Sequence, residues 1–275
     1  MEPHKDRANF GRIHQAVLLL ALGLVCASAL PDCWSSTIPS TYSKSVQGLF
    51  KEAQATDARP IIVKTIPSSP GFLQGHTNGE ADRIEITVMA GVSRDYDDAL
   101  LAHELFHVIL NSRGFADGGA PVTGTTDFDL LNKVVNNLNS CFSDELIDRE
   151  MVKRGLKPKR LLDKEVEWTL QRASAYERNE VESWPEMGKK GQAVRLFCLA
   201  KRIPEQSRRK VENRMKPALG SSIVDREKKL MTRFKGRSCQ IDQTEECYQL
   251  TLQLRDAAGL KGVIHMRNPK THALE

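Results

Sequence analysis

The chain has 275 residues, 27% of them charged and 40% hydrophobic. That composition describes a mid-sized soluble protein, with apolar material for one core or two small ones. The formal net charge of +5 is spread along the sequence, and no arginine-rich arm or aromatic-plus-basic module points to nucleic acid.

Residues 1–29 read as a secretory signal. Lys5, Arg7 and Arg12 make a basic start, Ala16 to Val25 is a short apolar run, and Ala27-Ser28-Ala29 is a cleavage site of the A-x-A kind. The run is short for a membrane span, so the expectation is an exported protein, secreted or periplasmic, with no stable membrane insertion after cleavage. Gly23-Leu24-Val25 before Cys26 and Leu30-Pro31-Asp32 before Cys33 disfavour a lipid anchor. Removal of the signal leaves Cys33, Cys141, Cys198, Cys239 and Cys247. Export permits disulfides. Cys239 and Cys247 can close a small loop, Cys141 can pair with Cys198, and an odd number leaves one thiol over. No C-x-x-C occurs, which argues against a cysteine zinc site.

Residues 40–56 have a helical pattern, with Val46, Leu49 and Phe50 on one side. Arg59 to Pro67 is a β-branched run bounded by prolines and reads as a strand. Ser68 to Glu80 reads as a loop. Arg83 to Met89 alternates and reads as a second strand, and Ser93 to Asp98 leads into the next helix.

That helix carries His103-Glu104-Leu105-Phe106-His107. His103 and His107 fall four residues apart on one helical face, the spacing at which two imidazoles hold one Zn²⁺. Glu104 projects roughly 100° round from His103, where it can take a proton instead of binding metal. Ala102, Leu105, Phe106, Val108, Ile109 and Leu110 make the helix apolar nearly all round, so it should be buried. Buried imidazoles need partners, and a metal supplies them.

The motif resembles the active-site helix of the zincin metallopeptidases, over about a dozen residues. The resemblance implies a zinc-activated water attacking a peptide carbonyl, with Glu104 as general base. It also implies that the strand before the helix pairs with extended substrate, which makes Ile84–Val88 the expected edge strand.

A catalytic zinc needs a third protein ligand. Leu110 and Arg113 stand where the metzincin branch would have Gly and His, which excludes that branch. The thermolysin-like branch places a carboxylate on a later helix. Beyond the turn-rich segment 112–126, the long helical stretch at about 127–155 offers Asp144 and Asp148, i and i+4 on one face. Asp144 is the expected zinc ligand, with Asp148 accepting from an imidazole N–H. The family pattern has Glu where Asp144 stands. Glu145 and Asp127 remain alternatives: Glu145 is followed one turn later by Arg149 and not by an acid, and Asp127 sits at a helix N-cap position.

Basic residues and Gly155 end that helix. Further helices are expected at 164–181, 191–203, 224–235 and 244–258, with 202–216 a solvated basic face and a break at 217–223. Tyr176, His265 and His76 are candidates to steady an oxyanion. The expected fold is α+β: a mostly helical zincin-like domain over 30–275, with a small N-terminal β-sheet and a long active-site helix. The expected activity is hydrolysis of a protein or peptide substrate. The other reading is a non-enzymatic exported protein with a structural or degenerate zinc site.

Overall fold

The computed structural model describes residues 38–67, 75–115, 119–121, 128–176, 181 and 184–274, all within one unit, Ser35–Glu275. The proposed signal 1–29, Cys26, Cys33 and Asp127 lie outside the described residues. The class is α+β and mostly helical, as expected.

Helix α1 (Lys44–Thr56) starts at Ser43, whose hydroxyl accepts from the Val46 amide, and buries Val46, Leu49, Phe50 and Ala53. Strands β1 (Ile61–Pro67), β2 (Gly75–Gly79) and β3 (Ile84–Ala90) follow. They form one sheet in the order β1-β3-β2, with β1 parallel and β2 antiparallel to β3. Strand β3 alternates: Ile84, Ile86 and Val88 enter the core, while Glu85 on the other face takes Lys64 at 3.0 Å and Arg83 at 2.7 Å.

Two expectations change here. The segment read as a loop contains β2, and Ile84–Val88 is the central strand, not the edge. Gly-His-Thr-Asn-Gly has no apolar alternation, so nothing in its composition announces a strand. Its position comes from pairing with β3 and from packing on the next helix.

Helix α2 (Arg94–Ser112) is capped by Ser93, which accepts from the Tyr96 amide, and Asp95 and Asp97 complement its dipole. It lies against α1, β2 and β3 and is buried over most of its surface, including Leu101, Leu105, Phe106 and Ile109. After the short strand β4 (Gly119–Pro121), helix α3 (Phe128–Lys153) crosses α2. Its buried residues recur at helical spacing: Leu131, Val134, Val135, Leu138, Cys141, Phe142 and Leu146. Gly155, at φ 72°, follows its end as expected.

Helices α4 (Lys159–Ala175), α5 (Glu186–Arg202), α6 (Glu205–Leu219), α7 (Ser221–Arg233) and α8 (Thr244–Ala257) complete the helical half. The stretch expected at 164–181 thus ends at Ala175, and the expected break at 217–223 narrows to Gly220 between α6 and α7. Strand β5 (Ile264–Met266), beyond the last helix expected from the sequence, pairs with β4. Helix α5 serves two apolar clusters. Val194 and Phe197 join the core around the sheet, α2 and α3. Ala193, Leu196 and Leu199 join a second core with Val211 of α6 and Ile223 of α7. Gly191 lets α5 come close to α3: a Cβ there would stand 2.5 Å from Val134 Cγ2. Disulfide Cys141–Cys198 joins the same two helices, and Cys239–Cys247 ties the segment before α8 to the first turn of that helix.

Candidate metal centre

The packing of α2 on α3 brings three side chains to one point. His103 and His107 share one face of α2 because they are i and i+4, and Asp144 faces them from α3. The two imidazole Nε2 atoms are 3.2 Å apart. Asp144 Oδ1 lies 3.6 Å from His103 Nε2 and 3.4 Å from His107 Nε2. Their side chains are 12%, 23% and 16% exposed. A tetrahedral ion held at about 2.0–2.1 Å by each donor sets donors about 3.3 Å apart. The three observed separations bracket that length, so His103, His107 and Asp144 can hold a metal ion.

Asp144 Oδ1 is buried and receives no hydrogen bond among the described residues. An acceptor left without a donor is costly, and a cation at the centre of the three atoms would satisfy it. The other oxygen, Oδ2, accepts from Arg202 Nη1 at 3.1 Å. Burial opposes the charge on Asp144, but the Arg202 guanidinium and the two imidazoles that face Oδ1 outweigh it and hold the carboxyl well below the usual carboxylate range. Burial likewise opposes a charged His103, while the nearby carboxylate of Asp144 pushes its pKa up.

Glu104 is outside this group of donors. It is 6% exposed, and its Oε2 accepts from the Thr77 hydroxyl of β2 at 2.7 Å.

Asp148 does not orient a histidine. Its two oxygens take Arg202 Nε at 2.7 Å and Nη2 at 3.3 Å. Arg202 also donates to Glu165 at 3.3 Å, so one guanidinium, 7% exposed, joins α3, α4 and α5. The i, i+4 acids meet a cation because a guanidinium satisfies both carboxylates where an imidazole N–H would serve one. Glu145 pairs with Lys201 at 3.1 Å and Arg149 at 3.6 Å, which directs it away from the imidazoles. Asp127 lies outside the described residues.

Among the oxyanion candidates, Tyr176 packs edge-on against Trp184 at 5.3 Å. His265 sits on β5 opposite Ala120. His76 is exposed, and strand alternation turns it away from the face on which Gly75 and Thr77 meet Glu104.

Sequence reasoning missed Arg202 and Thr77. The paired acids on a buried helix face signal that some cation must answer them, but nothing local names Arg202, which opens a stretch that reads as a solvated basic face. Thr77 lies in a stretch with no strand signal.

The chain matches none of the family models, curated proteins or solved structures with which it was compared.

Proposed function

We propose that the protein is an exported zinc-dependent metallopeptidase. The observation that carries the reading is the pairing of a three-donor group with a neighbouring carboxylate that is not a donor: His103, His107 and Asp144 on one side, Glu104 on the other. Two imidazoles and one carboxylate suit zinc and leave a fourth position to water, the pattern of catalytic and not of structural sites.

Bound zinc would supply a Lewis acid and a water of lowered pKa. Glu104 takes the proton of the attacking water on its carboxylate and delivers it to the departing amine. Arg202 holds Asp144 Oδ2, which fixes the ligand through one oxygen and leaves Oδ1 for the metal. The two disulfides fit an oxidising compartment and so support export. Among the described residues no helix is long and apolar enough to cross a membrane.

The test is Glu104→Gln. The change should leave zinc bound and lower turnover of a peptide substrate by about 10²-fold or more. Turnover that survives unchanged would remove Glu104 from the mechanism. Zinc binding with no hydrolysis by the wild type would favour a structural site.

A further inference from the structure

Strand β2 meets the carboxylate of Glu104 with a hydroxyl at one oxygen and with the absence of a side chain beside the other. Thr77 Oγ1 lies 2.7 Å from Oε2 and 3.3 Å from the Glu104 carbonyl oxygen. A hydroxyl has one proton, and the shorter contact to a charged acceptor takes it. Among the described residues Thr77 is the carboxylate's one hydrogen-bond donor. Two residues earlier, on the same face of the strand, stands Gly75. A Cβ on Gly75 would lie 2.6 Å from Glu104 Oε1 and 2.9 Å from Leu100 Cδ1. Any side chain at position 75 would therefore occupy the space that Oε1 now has.

We propose that β2 is a positioning clamp for Glu104, in which Thr77 anchors Oε2 and Gly75 keeps room for Oε1 as the oxygen that carries the proton. Thr77 is a positioning residue, since it acts through Glu104. The clamp divides the carboxylate into a fixed oxygen and a working one. A glutamate has three rotatable bonds, and holding one oxygen fixes the aim of the other; misaim by about 1 Å is enough to lower a rate by about 10²-fold. The same strand is pinned by its register with β3, where Gly75 faces Val88 and Thr77 faces Ile86. The inference rests on the hydrolytic reading of Glu104, and its test must separate the two.

The test compares Thr77→Val, Thr77→Ser and Gly75→Ala with the wild type. Valine keeps the shape of threonine and removes only the hydroxyl; serine restores it. Each protein is loaded with zinc, its zinc content is measured, and kcat and KM are read on one fluorogenic peptide selected from a peptide library with the wild type. The clamp requires Thr77→Val and Gly75→Ala to keep one zinc per chain, to hold KM within about twofold and to lose about tenfold or more in kcat. Thr77→Ser should recover most of that loss. Unchanged kcat in Thr77→Val, or a serine variant as slow as the valine one, would overturn the clamp. Zinc loss in Thr77→Val would give Thr77 a merely structural role and overturn it too. If the zinc-loaded wild type cleaves nothing in the library, the hydrolytic reading fails. Acetohydroxamate affinity then decides the clamp: a loss of about tenfold in Thr77→Val, recovered in Thr77→Ser, would uphold it, and equal affinities would overturn it. A wild type that takes up no zinc overturns both.

Discussion

The two oxygens of Asp144 serve two partners. Oδ1 faces the imidazoles, and Oδ2 is held by Arg202. In the metal-free protein the same cluster binds a proton. The raised pKa of His103, which Asp144 sustains against burial, keeps that proton on the ring to higher pH than an ordinary histidine. The stability gained from that His103–Asp144 contact is complete below the unfolded histidine pKa and is lost as pH rises through the raised value. For Asp144 the sign is opposite: its contribution is present above the ordinary carboxylate range and is lost as pH falls through the depressed value. Metal must expel the proton, so acidification should strip the metal at higher pH than it would from unassisted histidines. Metal retained after dialysis at stepped pH values reads this. Arg202→Gln removes a positive neighbour that lowers the His103 pKa and also loosens Asp144. Its metal should be lost at higher pH than in the wild type, and an unchanged profile would remove Arg202 from the centre. In the residue order, helical spacing paired His103 with His107 and Asp144 with Asp148, and the family resemblance singled out Asp144, which the fold brings to the two imidazoles. Arg202 lies 58 positions from Asp144, and only the packing of α5 on α3 joins them.

Helices carry their own pattern; the short strands do not. The apolar run around the histidines, the i, i+3, i+4 spacing along α3 and the glycine after it all showed in the residue order. Strand β2 did not, because its five residues, Gly75 to Gly79, have no apolar alternation and take their place from β3 and α2. Strands β4 and β5 span three residues each, too few to show a period. The staple between α3 and α5 acts at element scale. Cys141 is one turn before Asp144 on α3, and Cys198 is one turn before Arg202 on α5. The disulfide therefore fixes the two helices where the ligand meets its guanidinium. Its sequence separation is 57, against 8 for Cys239–Cys247. By loop-closure entropy the first contributes about 4 kcal/mol and the second about 2.5 kcal/mol. The double variant Cys141→Ala/Cys198→Ala should thus show the larger fall in melting temperature and also a weaker zinc affinity. The Cys239→Ala/Cys247→Ala variant should keep the wild-type affinity. Calorimetry with zinc titration checks both, and equal affinities in the two variants would break the link between staple and site.

Across the whole molecule the two apolar clusters meet on α5, which also reaches the candidate metal site through Arg202. A buried carboxyl stands at the edge of the second core. Glu227 of α7 is 1% exposed, and both its oxygens lack a hydrogen-bond partner among the described residues. It borders a cavity lined by Leu199, Ile203, Val211, Arg208 and Glu212. Burial raises its pKa from 4.5 to about 7; Glu212 adds to the rise, and Arg208 and Lys228 oppose it. A raised carboxyl contributes stability that is complete below 4.5 and is lost as pH climbs through about 7. The loss is on the order of 3 kcal/mol. Glu227→Gln should therefore melt above the wild type at pH 8 and close to it at pH 4.5. Parallel pH–stability curves for the two proteins would show that Glu227 does not titrate in this range.

Zinc stoichiometry decides whether His103, His107 and Asp144 form a zinc centre. The wild type, Asp144→Ala and Glu145→Ala are each loaded with zinc, dialysed against metal-free buffer at neutral pH and measured by elemental analysis. The expected result is one zinc per chain in the wild type and in Glu145→Ala, and close to none in Asp144→Ala. A wild type that takes up no zinc, or an Asp144→Ala variant that keeps it, would contradict the claim.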